Sequence, residues 1–331
     1  MKNTRYVIRK GTRRLQEARE GCDTRAYEEF KKMVVEKIRE FLPEKYREYE
    51  ISIEQVPKNN CMRDSLRIAN PMIPEASPNV YVDELYSMYR DGTPLEDVLQ
   101  SGAAIFSYGM DYARSMSDLS VRACEREDNI IAQVINTERN LEMLQSVPHT
   151  DYLDLSVIYR HYIALPDGTF NLATVDDSEL EKIDLSVEGL HKLALENTKR
   201  LMPIKREHLG EGVYLLTNKK HLLGANVLLF KSQLRWIARR CKADLFLAAS
   251  SIHEVMVLPV NEARLSFLRE TVRDANRNLV EPGDVLSDTV YRFDRERDLL
   301  LPAWEEPGEQ KIWDEESSAE GQVSNPVLQM S

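Results

Sequence analysis

Nothing in this chain is both long and apolar. No run approaches the roughly 20 residues a membrane-crossing helix needs, and the N-terminus carries no apolar signal core. A cytoplasmic protein with no membrane contact is therefore expected. Cysteine is scarce: Cys22, Cys61, Cys124 and Cys241 are widely scattered with no C-x-x-C pair, which argues for reduced thiols and against disulfides or a zinc site. There is no Walker loop and no G-x-G-x-x-G, so nucleotide hydrolysis and dinucleotide binding have no support. The six histidines show no H-E-x-x-H or other metal-ligand spacing, and no G-x-S-x-G elbow is present. No cofactor and no metal are expected. Positive charge is also in deficit, with 44 Lys and Arg against 55 Asp and Glu and a net charge of -11. That disfavours bulk attraction to nucleic acid and leaves only a local basic patch as a route to it.

The chain does contain the makings of a sizeable core. Its 331 residues are 42% hydrophobic and 30% charged, ordinary values for a globular protein of one large or two intimate domains. Residues 1–24, with Lys2, Arg5, Arg9, Lys10, Arg13 and Arg14, read as a basic flexible extension. Residues 25–300 read as the folded region, divisible into two intimate subdomains near 125–150. Residues 301–331 turn to Glu, Asp, Ser, Gln and Pro, a composition expected to be disordered.

The pattern is organised around Val213 to Pro259. Val213 to Leu216 is a strand-length apolar run closed by the polar Thr217-Asn218-Lys219-Lys220 turn. From Ser232, Leu234, Trp236, Ile237 and Cys241 recur at helical spacing beneath a basic face of Lys231, Arg235, Arg239, Arg240 and Lys242. Two further apolar runs, 244–249 and 255–258, flank Ser250-Ser251-Ile252-His253-Glu254 and predict a hairpin whose turn holds the polar groups. Elsewhere the periodicity predicts a helix ending at Pro43, a hairpin across Pro57 to Asn60, and helices at 81–90 and from Thr93 to about Met116. It predicts a strand at 130–135, a short helix at 141–147, and a hairpin of 153–164 with 169–175. Beyond these come a helix capped by Ser186 and stopped by Pro203, a helix at 262–278, and a final strand at 289–293. The fold class this implies is α+β: a mixed, mainly antiparallel sheet with packed amphipathic helices.

Two polar constellations could carry chemistry. Ser250, Ser251, His253 and Glu254 supply the hydroxyl, imidazole and carboxylate of nucleophilic hydrolysis, with Ser251, His253 and Glu254 as catalytic candidates. Neighbours in one tight turn rarely reach the triangular geometry this needs. The plainer alternative has the serines bonding the turn backbone and His253 pairing with a nearby carboxylate or carbonyl. The second constellation sets Thr217, Asn218, Lys219, Lys220 and His221 beside Arg235, Arg239, Arg240 and Lys242, a local positive patch able to meet phosphates. Its alternative is a solvated helix face. Asn136, Asn140, Asn197 and Thr198 read as cap and turn residues rather than ligands.

The ordered landmarks INTERN at 135–140, SVPH at 146–149, LALENTKRLMP at 193–203, YLLTNKKHLLGA at 214–225, DLFLAASSIHEVMVLPV at 244–260 and DVLSDTVYRF at 284–293 carry a resemblance. Together the chain from about Tyr27 to Phe293 resembles a bacterial family of unknown function found in Gram-positive gut-type genomes, often on mobile elements. The resemblance implies no activity, cofactor or ligand residue. The function expected is a non-enzymatic accessory of a mobile element acting through an unidentified protein partner. The alternatives are a hydrolase-like enzyme using the Ser250/Ser251-His253-Glu254 turn and nucleic-acid binding through the Lys/Arg patch.

Overall fold

A computed structural model describes residues 24–70, 78–124, 127–165, 170–183 and 185–303, without the side chains of 113–124 and 182–183. The basic extension expected over 1–24 lies outside it except for Thr24. So do the turn at 166–169, most of the proline-rich 70–78 stretch and the acidic segment from 304 on.

The chain opens with α1 (Thr24–Lys37), whose Phe30 and Val34, four residues apart, are buried. Ile38 continues the same stripe into a 3-10 turn that Leu42 leaves in extended geometry. Strands β1 (Glu50–Lys58) and β2 (Cys61–Ala69) form a hairpin across Asn59-Asn60, with Asn60 at φ +64. Asn tolerates this left-handed conformation better than most residues. A two-residue β3 (Val80–Tyr81) adds to β2, followed by α2 (Val82–Arg90) and the 30-residue α3 (Leu95–Cys124). These elements enclose their own apolar core, including Phe30, Val34, Ile38, Leu66, Leu85 and Phe106.

The second sheet is built on β6 (Leu155–Ala164), eight of whose ten positions are buried. It pairs with β4 (Ile130–Asn136), with β5 (His149–Tyr152) over its first half and with β7 (Phe170–Thr174) over its second. Three helices belong to this part of the chain: α4 (Leu141–Leu144), α5 (Asp177–Ile183) and α6 (Val187–Leu201). The last begins where the cap is predicted, with the Gly189 N–H donating to Ser186 Oγ at 3.1 Å. The third sheet has six strands in the order β13-β12-β10-β11-β9-β8. They are β8 (Ile204–Gly210), β9 (Val213–Asn218), β10 (Leu245–Ser251), β11 (Glu254–Pro259), β12 (Val290–Asp294) and β13 (Leu299–Pro302). The two remaining helices, α7 (Lys231–Cys241) and α8 (Leu265–Asn278), pack on opposite sides of it.

The α+β class holds, with every strand pairing among the described residues antiparallel. The second and third sheets share one core, in which Ile130, Val134 and Val157 meet Leu190, Leu216, Leu234, Leu247 and Tyr291. Several sequence expectations shift. The helix from Thr93 runs to Cys124 rather than Met116, and the 141–147 helix stops at Leu144. The strand at 289–293 is not the last, because Leu299–Pro302 pairs with it and takes in two residues past the expected end of the folded region.

Candidate functional site

The predicted hairpin of β10 and β11 forms, and the polar turn between them sits at the junction of the three sheets. Thr217, at the end of β9, donates from Oγ1 to the His253 carbonyl at 2.8 Å. The chain then reverses through two left-handed residues, His221 and Leu223, each at φ +54. It comes back over the turn, so that the Leu223 N–H donates to His253 Nδ1 at 3.2 Å and the Ala225 N–H to the Ile252 carbonyl at 3.1 Å. This approach is close enough to require Gly224, since a Cβ there would overlap the His253 carbonyl and Thr217 Oγ1 and lie 2.7 Å from Thr217 Cα.

His253 is thereby fixed in role. The Leu223 N–H occupies the lone pair on Nδ1, which leaves the ring proton on Nε2, and Nε2 faces Asp284 Oδ2 at 3.3 Å. Ser251 Oγ accepts from the backbone N–H of His253 at 3.1 Å, and Glu254 is exposed at the start of β11. The three catalytic candidates thus lie together without forming a relay. The imidazole has no free lone pair with which to take a proton from Ser251, and the carboxylate that orients it is Asp284, 31 positions along, not Glu254.

The segment carrying Asp284 is clasped from all sides. The carbonyls of residues 282 to 287 each accept a hydrogen bond. Asn60 Nδ2 reaches those of Pro282 (2.9 Å) and Val285 (2.7 Å), and Asn59 Nδ2 that of Gly283 (2.6 Å). The Ile252 N–H takes that of Asp284 (2.9 Å), Asn136 Nδ2 that of Leu286 (2.9 Å) and Asn276 Nδ2 that of Ser287 (3.0 Å). Asn140 locks Asn60 in place, its amide donating to Asn60 Oδ1 at 2.9 Å and its own Oδ1 accepting from the Asn60 N–H at 2.8 Å. On the far side the Asp154 carboxylate, in the β5–β6 turn, accepts from Ser287 Oγ (2.7 Å), Thr289 Oγ1 (2.9 Å) and Tyr291 Oη (2.6 Å). Burial, and then the Asp154 charge, push the Tyr291 phenol well above its usual range, so it stays a donor.

Asn136 and Asn140 do serve local turns: Asn136 Oδ1 accepts from the Arg139 N–H at 2.8 Å. What a cap-and-turn reading misses is the other end of each amide. Asn197 and Thr198 behave likewise. Asn197 Nδ2 donates to the Glu127 and Ile130 carbonyls, and Thr198 Oγ1 accepts from the Ala132 N–H at 2.9 Å. Asn226 adds a pair of bonds, Nδ2 to the Ala132 carbonyl (2.7 Å) and Oδ1 from the Val134 N–H (3.0 Å). Side chains thus complete the edge of β4 that β6 leaves open, as a buried strand edge requires.

The basic constellation is divided. Thr217 and Asn218 are 1% and 2% exposed, with Asn218 Oδ1 taking the Lys220 N–H at 2.9 Å. Only Lys219 of this trio stands in solvent. Arg235 on α7 is held by Asp298, Nε to Oδ1 at 2.6 Å, and this hydrogen bond depresses the Asp298 carboxyl. Arg239 and Arg240 are exposed beside it. Among the described residues no group of three or more His, Cys, Asp or Glu side chains is placed to hold a metal ion. No helix there is long and apolar enough to cross a membrane.

The model of a family of unknown function, DUF5688, matches residues 27–213 and 204–295, and the chain belongs to that family. No curated protein and no solved structure matches it.

Proposed function

We propose that this is a non-enzymatic, cytoplasmic accessory protein that works by binding another protein, in keeping with the mobile-element setting of the family its motifs resemble. The observation that carries the reading is the outer face of the six-stranded sheet. There α8 packs on β10 and β12, burying Phe246, Ala248 and Val290. On β9 and β11, in the same cross-strand row as Ala248, Leu215 is only half-buried and Met256 is 40% exposed. Phe267 of α8 is 71% exposed. Apolar side chains grouped on one face in this way are more often a contact surface than an accident. The commitment of His253 and Ser251 to backbone and Asp284 favours the same reading over hydrolysis.

The test is co-purification from native cells with Met256→Glu and Phe267→Glu. Binding through this face requires a stoichiometric partner that follows wild type and is lost from both variants, while their melting temperatures stay unchanged. A partner that both variants retain, or hydrolysis of an ester or phosphoester that disappears in His253→Gln, overturns it.

A further inference from the structure

Among the described residues, one cation in the four-stranded sheet has no counter-charge. Arg160 lies within β6, with Ile131 of β4 and Thr174 of β7 directly across from it. Gln133, two residues along β4 from Ile131, shares that face because side chains alternate along a strand. The guanidinium donates from Nε to Gln133 Oε1 at 3.1 Å and from Nη1 to Thr174 Oγ1 at 2.8 Å. Both acceptors are neutral, and among the described residues no carboxylate pairs with Arg160. Burial alone pushes the group down to about 10, so it remains charged at neutral pH. A charge taken out of water is ordinarily paired, because nothing else replaces its lost hydration.

The surroundings offer further donors rather than an acceptor. Gln133 is 3% exposed, and with its Oε1 accepting from Arg160 the amide keeps Nε2 as a donor group. Thr174 Oγ1, having accepted from Arg160, has its proton left to give. Two residues along the same face Tyr162 stacks on Phe170 at 4.8 Å, and Lys220 Nζ lies 5.7 Å and 5.1 Å from their ring centroids. A second positive charge therefore stands over this part of the sheet.

We propose that Arg160, Gln133 and Thr174 form a binding position for a small phosphate-like oxyanion. The donors come from three different strands, which suits a tetrahedral group better than a flat carboxylate. Arg160 itself is partly open to solvent, while Ile131 and Ile158 beside it are fully buried. A small free anion can approach a side chain flanked in this way more readily than a polymer backbone can. The proposal is independent of the docking face on the other sheet.

The experiment is thermal unfolding of the full chain in inorganic phosphate against chloride at equal ionic strength, for wild type, Arg160→Gln and Thr174→Val. At ten times the binding midpoint, phosphate should raise the wild-type melting temperature by about 3 °C. Arg160→Gln should lose that response while being at least as stable as wild type in chloride, since an uncompensated charge has gone. Thr174→Val keeps the charge and one donor fewer, so its phosphate midpoint should rise about fivefold to tenfold; this arm decides the matter if Arg160→Gln does not fold. A phosphate response absent from wild type, or equal in wild type and Thr174→Val, overturns the site. So does a phosphate response that Arg160→Gln retains, which would place the anion elsewhere on the protein.

Discussion

The Asp154 carboxylate makes a sharp test of how the junction is held. Replacing it with alanine leaves three hydroxyls without their acceptor. Tyr291 is fully buried, Ser287 is 1% exposed and Thr289 is 8% exposed, so water can reach them only through the space the partly exposed carboxylate leaves. Ser287 Oγ has no spare role, because it already accepts from the Thr289 N–H at 2.9 Å. Hydrogen bonds to a charged group contribute about 1.5–3 kcal/mol each, and relief of the carboxylate's own desolvation offsets part of the sum. A net loss of about 3–5 kcal/mol is expected for Asp154→Ala, or a melting temperature lower by about 5–9 °C. Urea unfolding gives the free energy, and a double-mutant cycle with Tyr291→Phe isolates the phenol bond. Tyr291→Phe alone should cost about 1–2 kcal/mol, but in the Asp154→Ala background almost nothing, because the hydroxyl it removes is by then an unsatisfied donor. A coupling of about 1–2 kcal/mol follows. Additivity to within about 0.5 kcal/mol, or a cost for Asp154→Ala below about 1 kcal/mol, would refute the claim that this carboxylate ties the β5–β6 turn to β12.

Other substitutions probe the same junction and its neighbours. His253→Ala removes the acceptor for the Leu223 N–H and should cost about 1–2 kcal/mol. His253→Asn, whose Oδ1 can stand near the Nδ1 position, should recover much of that in equilibrium unfolding, whereas equal loss in both would mean the Leu223 bond contributes nothing. Gly224→Ala drives a Cβ into backbone that cannot yield and should cost about 3 kcal/mol or more; near-wild-type stability would show that the loop over the turn is free to move. Asn226→Ala strands the Val134 N–H and Ala132 carbonyl in the core, and about 2–4 kcal/mol should be lost. Burial lowers the His191 imidazole below its ordinary value of about 6.5. The unfolded chain therefore takes up this proton first, and stability contributed here is full above pH 6.5 and falls as pH drops below it. His191→Gln should flatten that slope in melting temperatures measured between pH 7 and 5; an unchanged slope would assign it elsewhere.

What could be read in advance follows from the range over which each signal acts. The β10–β11 hairpin, α6 and α7 are legible because their apolar spacing repeats within one element. β8 escapes notice because it is an edge strand reading IKREHLG, with charge where a central strand would be apolar, which is how edges avoid pairing with other chains. α3 runs past Gly102 and Gly109, residues that weaken a helix. A Cβ on Gly109 would lie 2.7 Å from Pro78 Cγ, so that residue is set by a neighbour's approach, not by a weakness of the helix.

The junction itself was the least legible part. Asn136, Asn140, His253 and Asp284 stand in the motifs that carry the resemblance, yet Asn136 bonds a carbonyl 150 positions away, and Asn60, outside those motifs, one 225 away. No window of sequence holds both ends of such a bond. Local reading sees only the near half of each asparagine, where a turn residue and a clamp look alike. The same argument turns the serine, histidine and glutamate cluster around. Being adjacent in sequence makes it conspicuous, but Ser251 and His253 bond Leu223, Asp284 and the backbone while Glu254 stands exposed, so proximity along the chain does not give the pairing. Arg160 inverts the case. It lies in a hydrophobic strand with nothing beside it in sequence to mark it, and only the pairing of β6 with β4 and β7 shows that both its partners are neutral. A charge left unmatched by the fold is visible only once the fold is known, and it is there, rather than at the conspicuous turn, that a ligand would have something to add.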